Sequence, residues 1–340
     1  MKRISCLLFV CLFLCGCTAA DVAPESKTYE ATFLTLFDTV TVIKGPADSK
    51  ETFQSISQSI HDELYFYHQL FDIYHNYDGL NNLKSINDQA GIAPVKVDRK
   101  IIDLLKDCKD YYELSGGKVN VAFGSVLYLW HVARNDGFND PANARLPDME
   151  QLENASMYTD INAVVIDETN STVYISDPMV RLDVGAVAKG WAVQRVAENA
   201  PKGLLISVGG NVCATGPKNE DGTPWVIGIQ NPNGDDYLHT IYVSDVSVVT
   251  SGDYQRCYIV DGKLYHHIID PETLYPSTYW RSVTIVSSDS GLADALSTAL
   301  FILPLEEGKK LLDQCGAQAM WVDADGNQYY STGFEALIRT

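Results

Sequence analysis

No two cysteines of this chain stand in C-x-x-C spacing, which removes zinc-ribbon and thioredoxin-type readings. There is no G-x-x-x-x-G-K-[ST] segment, so a P-loop is excluded. There is no G-x-S-x-G segment either, so the nucleophile elbow of an α/β-hydrolase is missing. Basic residues are scarce: 25 Lys and Arg against 44 Asp and Glu give a formal net charge of −19. A surface of that sign repels nucleic acid and anionic headgroups. An anionic ligand therefore needs a metal ion or a local positive site. Repeats and low-complexity tracts are absent, and past the N-terminus no run is long and apolar enough to cross a bilayer.

The N-terminus is different. Lys2 and Arg3 precede an apolar run, Ile4 to Leu14, which is shorter than the roughly 20 residues a membrane helix needs. It reads as the core of a secretory leader. Leu14-Cys15-Gly16-Cys17 resembles a bacterial lipobox. We expect residues 1–16 to be removed, Cys17 to carry lipid, and the protein to sit on the extracytoplasmic side of the bacterial cell membrane. Residues 17–28 read as a lipidated tether and 29–340 as one domain. Cys108, Cys213, Cys257 and Cys315 remain, with disulfides and buried free thiols both open.

Tyr29–Lys44 reads as strand and Asp48–Leu70 as a helix with Phe53, Ile56, Ile60 and Leu64 on one face. Gly79–Asn87 and Pro147–Ala155 read as short helices. Asp98–Ser115 reads as a helix capped by Asp98 and stopped by Gly116-Gly117. The second half alternates strands (a 163–175 hairpin, 204–208, 225–230, 239–249, 256–260, 282–287, and two within 319–338) with helices at 186–198, 292–303 and 306–314. With no regular βαβ rhythm, the class is α+β.

Four segments carry polar groups of chemical interest. In Arg181-Leu182-Asp183-Val184-Gly185-Ala186-Val187-Ala188-Lys189-Gly190 a strand gives way to small residues and a helix start, where backbone amides hold phosphate and Lys189 neutralises it. A tight turn with a surface lysine fits that segment as well. Ser207-Val208-Gly209-Gly210-Asn211 is a Gly-Gly turn, ligand-facing or simply structural. Thr250 to Tyr254 and Tyr265 to Pro271 bring hydroxyls, carboxylates and His266-His267 together; adjacent strand residues face opposite ways, so one of the two histidines faces a site. In Gly291 to Leu300, Asp294, Ser297 and Thr298 share a helix face, a hard-oxygen set for Mg²⁺ or Ca²⁺ or else a solvated polar stripe.

Taken in order, the segments DVGAVAKGWAV, LLISVGGNV, TSGDYQR, HHIIDPETLYP and SVTIVSSDSGLADALSTAL resemble the FAD:protein FMN transferase (ApbE) family. FDTVTV, FDIYHNYDGLNNLKSIN and VNVAFGSVLYLW extend the resemblance toward the N-terminus. It implies a T-fold-like catalytic domain of mixed sheets with packed helices. It implies FAD as substrate, and Mg²⁺ held by Asp294 and Thr298, by Ser297 beside them, and by the Ala186 carbonyl. Asp183, Lys189, Phe37, Tyr74, Asn120, Val121, Ala122 and Ile269 are implied to contact FAD, and His267 to act as base or orienter beside Asp294. The implied reaction moves FMN onto a Thr or Ser hydroxyl and releases AMP. The implied partner is a flavoprotein subunit of a membrane redox complex with a D-G-x-[ST]-G-A-[ST]-like acceptor. This chain carries no such acceptor, which puts it on the donor side. Leu274 stands where the family usually has Gly, so that turn is expected to differ. Two other readings use the same residues: a Mg²⁺-dependent FAD pyrophosphatase giving FMN and AMP, and a non-catalytic flavin-binding lipoprotein.

Overall fold

The computed structural model describes residues 27–340; the leader, Cys17 and most of the tether lie outside the described residues. β1 (Lys27–Leu36) and β2 (Thr39–Ala47) form an antiparallel hairpin, with Lys27 opposite Ala47. The single strand expected over 29–44 is therefore two. Phe37 and Asp38 both take positive φ, 51° and 54°, as a tight hairpin turn requires. Such turns normally advertise themselves with Asn-Gly, and here nothing does.

α1 (Lys50–Phe71) starts at Ser49, whose hydroxyl accepts the Thr52 amide. α2 (Leu83–Asp88) has a reciprocal cap between Asn82 and Ser85. After β3 (Val95–Lys96), α3 (Arg99–Leu114) is capped by Asp98, as its sequence requires. α4 (Gly124–Asn139) is not foreshadowed: its first residue follows a cap without side-chain hydrogen bonding, and its apolar residues form no clean stripe. α5 (Met149–Ser156), β4 (Val164–Asp167) and β5 (Thr172–Ile175) follow, then α6 (Ala188–Asn199), β6 (Leu205–Val208), β7 (Asn211–Ala214) and β8 (Trp225–Gln230). The expected 239–249 strand is again two, β9 (Tyr237–Val243) and β10 (Ser247–Gly252), broken where Asp245 takes φ 55°. β11 (Tyr258–Val260), β12 (Lys263–Tyr265), β13 (Ser282–Ser287), α7 (Ser290–Ile302), α8 (Leu305–Leu312), β14 (Gln318–Val322) and β15 (Gln328–Tyr330) complete the chain.

An eight-stranded sheet, β1-β2-β6-β7-β10-β13-β14-β15, organises the fold, and every ladder in it is antiparallel. Its central strands are buried on both faces. Val249, Val283, Ile285, Ala319 and Trp321 join one core with α1, α6 and α7. Their alternates Val248, Val286, Met320 and Val322 join a second core under the β8–β9 hairpin. This period-two division of one strand between two cores explains why β13, SVTIVS, is buried at every position. A third cluster, around Trp130, Tyr258 and Leu274, ties α4 to β11 and to the turn after Ile269. All four described cysteines are free, which settles the open alternative in favour of thiols.

Candidate active site

A cleft of about 590 Å³ lies where the β1–β2 turn, α4, the start of α6, the end of β10 and α7 converge. The closest join in it is between α6 and α7. Gly190 has no side chain, so the two helices approach until the Gly190 amide donates to Oδ2 of Asp294 at 2.8 Å. In a regular helix that amide would bond the carbonyl of Ala186, four residues back. Here it is diverted: the Ala188 amide bonds the Val184 carbonyl and the Trp191 amide the Val187 carbonyl, both at 2.9 Å, while the Ala186 carbonyl between them is left without that donor. Ala186, Asp294 and Thr298 all line the cleft. Asp294 is only 4% exposed, and Lys189 Nζ lies 3.7 Å from its Oδ2.

A carboxylate, a carbonyl freed from its helix and a hydroxyl one turn away make a hard-oxygen set that suits a divalent cation with positions to spare for phosphate oxygens. Among the described residues no cluster of three His, Cys, Asp or Glu could hold a metal. A softer, nitrogen- or sulfur-rich site of the zinc kind has no basis here.

The other expected residues divide. Phe37, Tyr74, Asn120, Val121, Asp183, Lys189, His267 and Ile269 line the cleft. Ala122 does not: it is fully buried, and its amide donates to Oδ1 of Asn120 at 2.9 Å. Ser297 does not either. Its hydroxyl donates to the Asp294 carbonyl and meets Oγ of Ser251, both at 2.8 Å, so it faces β10 and not the cavity. Although Asn120 lines the cleft, its amide group is already occupied, donating to the Thr159 carbonyl at 2.8 Å.

Asp183 sits at the floor, its own amide on the Val121 carbonyl and its Oδ1 accepting the Gly185 amide at 2.8 Å. Burial pushes its carboxyl pKa up, against that hydrogen bond and the positive charges of Arg256 and Arg134. Tyr74 stacks on His131, with centroids 5.1 Å apart, and burial raises its phenol to about 12. His266 and His267 lie just past the end of β12 and make different hydrogen bonds. Both line the cleft, against the expectation that one of them does, but His266 is buried and bonds the Ser277 carbonyl, whereas His267 has Nδ1 3.1 Å from the Gln255 carbonyl. A carbonyl only accepts, so Nδ1 carries the proton and Nε2 presents a lone pair. Burial, then the charge of Arg256, push the His267 pKa down to about 3, so the ring is neutral over the physiological range.

Sequence reading gave no role to three groups in the cleft, although Asn211 and Arg256 end segments it singled out. Asn211 is 2% exposed, and its Nδ2 has no acceptor among the described residues, a buried donor in want of an oxygen. Arg134 was hidden because α4 was. Arg256 was expected in a strand, but it stands in the turn before β11 with φ 45°.

The ApbE family profile matches residues 35–321 of this chain. The FAD:protein FMN transferase of Treponema pallidum is 36% identical over 277 residues, covering 76% of this chain and 75% of that protein. That of Klebsiella pneumoniae is 33% identical and covers 69% and 72%. The crystal structure of the ApbE protein of Thermotoga maritima superposes with a TM-score of 0.81 at 32% identity, covering 92% of this chain and 100% of that one. With the profile covering most of its length and relatives above 30% identity covered over more than two thirds, the chain belongs to the ApbE family.

Proposed function

We propose that this protein transfers the FMN half of FAD to a Thr or Ser hydroxyl of a partner flavoprotein and releases AMP, with Mg²⁺ bound by Asp294, Thr298 and the Ala186 carbonyl. The observation that carries the metal assignment is the diverted Gly190 amide, which sets an aspartate oxygen beside a carbonyl stripped of its helical donor. The relatives named above as FAD:protein FMN transferases support the reaction.

When bound, the cation supplies Lewis-acid neutralisation of the pyrophosphate. The chain's own groups do the rest. Lys189 adds positive charge beside Asp294, within reach of phosphate oxygens. Phe37, Tyr74 and Ile269 give apolar walls to the ring systems, and the Asn211 amide donates to a ligand oxygen. His267 Nε2 accepts from the incoming hydroxyl and orients it; with so low a pKa it is a weak base, and its role is alignment more than proton storage. The partner supplies a D-G-x-[ST]-G-A-[ST]-like acceptor in a membrane redox complex. Lipid on Cys17 keeps the enzyme on the same extracytoplasmic surface.

The test is to incubate the purified protein with FAD, Mg²⁺ and a protein bearing that acceptor segment. Covalent flavin fluorescence on the denatured acceptor supports transfer. AMP and free FMN without labelling would make the protein a pyrophosphatase, and intact FAD would make it a binder.

A further inference from the structure

Arg134 and Arg256 both line the cleft, one from α4 and the other from the turn before β11. Among the described arginines Arg99, Arg195 and Arg281 form ion pairs, whereas Arg134, Arg145, Arg181, Arg256 and Arg339 do not; of those five, Arg134 and Arg256 line this cleft. Arg281 pairs with Asp253, and Lys118 with Asp270 and Glu272. Among the described residues neither Arg134 nor Arg256 forms an ion pair with a carboxylate. Instead Arg134 is fixed by a neutral group: its Nη2 donates to Nδ1 of His131 at 2.9 Å. That bond makes Nδ1 of His131 the acceptor. His131 in turn stacks on Tyr74. Arg256 is held differently, through a positive-φ backbone next to Gln255, whose carbonyl takes the His267 ring. A residue kept in that uncommon conformation at a cleft marks a position that the surrounding structure over-determines.

Two guanidiniums lining one cavity repel each other; the Asp183 carboxylate attracts both without forming an ion pair with either, and its one charge against two leaves room for a further anion. Burial and then the like charge of Arg256 lower the Arg134 pKa, which places the two within electrostatic reach. The pair lies on the side of His267 flanked by Gln255, and Lys189 also acts on that ring.

We infer that Arg134 and Arg256 form an anion subsite that takes the phosphate of the departing nucleotide and neutralises the charge it gains as the bond breaks. The inference rests on the transferase reading and deepens it. In the reaction the acceptor Oγ–P bond forms on the FMN phosphorus, and the P–O bond to the AMP phosphate breaks with its electron pair going to AMP. The hydroxyl proton leaves to solvent. In FAD the two phosphates carry about one negative charge each; afterwards the new diester carries one and AMP about two, its second pKa being near 6. One full negative charge therefore develops on the leaving phosphate. Guanidiniums lining the cleft are suited to meet it through their paired N–H donors.

The experiment compares the wild-type protein with Arg256→Gln and Arg134→Gln/Arg256→Gln. Binding of AMP and of adenosine is titrated in EDTA, so that no divalent cation contributes, and FMN transfer from FAD to an acceptor protein is timed with Mg²⁺. The expected result is that the wild type prefers AMP to adenosine and the double variant does not. kcat should fall by about 10²-fold, the scale of losing a preorganised donor to developing charge, while KM for FAD changes little. Arg256→Lys should recover part of the loss, because charge returns without the planar fork. Arg256 is exposed, so its single variant tests the idea even if Arg134→Gln disturbs α4. A double variant that keeps the AMP preference, or turns over at the wild-type kcat, overturns the inference. If the wild type does not transfer FMN at all, the transferase reading fails by itself, and the EDTA titration still decides whether the pair is an anion subsite.

Discussion

Gly190 and Ser290 lie so close that a β-carbon on Gly190 would stand 2.2 Å from the Ser290 carbonyl oxygen and 2.5 Å from Cβ of Asp294. The obstruction is backbone and a buried carboxylate stem, neither of which can swing away. Gly190→Ala should therefore force α6 and α7 apart, lower stability by about 1–3 kcal/mol and displace Asp294 from the Ala186 carbonyl. A lowered Tm together with a raised Mg²⁺ requirement is expected; a variant that matches the wild type in both would remove the helix junction from the account.

Asp294→Asn separates the metal role from the structural one. The asparagine oxygen still accepts the Gly190 amide, so Tm should stay near the wild-type value, while the lost charge weakens cation binding. Lewis-acid assistance is worth several kcal/mol, so transfer should fall by about 10²-fold or more at fixed Mg²⁺. Steady-state rates over a Mg²⁺ series check this, and retention of full activity would refute Asp294 as a ligand.

His267 predicts a pH signature in stability. An unfolded histidine titrates near 6.5, whereas this one is pushed down to about 3 in the fold. Below pH 6.5 the unfolded chain takes up a proton that the native ring does not. Its stability contribution is therefore complete above about pH 6.5 and is lost as pH falls toward 3. Water in the open cleft softens the effect. Chemical denaturation between pH 7 and 4 should show a shallower acid loss for His267→Asn than for the wild type. Parallel acid curves would count against a ring held neutral.

Leu274 occupies a left-handed turn, φ 60°, where glycine would be unstrained, yet its side chain is only 7% exposed in the third core cluster. Glycine there relieves about 1–2 kcal/mol of strain, but burying a leucine contributes roughly 1.5–3 kcal/mol. Burial wins, and Leu274→Gly should cost about 1 kcal/mol, read as a lowered urea midpoint. A raised midpoint would mean that strain dominates.

Local signals were legible where one residue's chemistry decides. Asp98 caps the helix that follows it, as expected. The i, i+4 spacing of Asp294 and Thr298 puts both in the cleft. Signals failed where the decisive partner is distant. The turn at Phe37-Asp38 has no glycine, and α4 has neither a cap nor a strong stripe, so His131 and Arg134 had no helix to be placed on. Spacing alone grouped Ser297 with Asp294 and Thr298, but only the neighbouring β10 shows that its hydroxyl is spent on Ser251.

The amino-acid sequence by itself determined which residue types were available for the site and the α+β alternation that carries them, because caps, periodicity and small-residue turns act over a few positions. Tertiary structure alone decided that the Gly190 amide leaves its own helix for a carboxylate 104 residues away. It alone decided that two arginines from separate elements share a cavity. Both depend on the exact closeness of packed backbones, a quantity set by the whole fold and by no local stretch of chain.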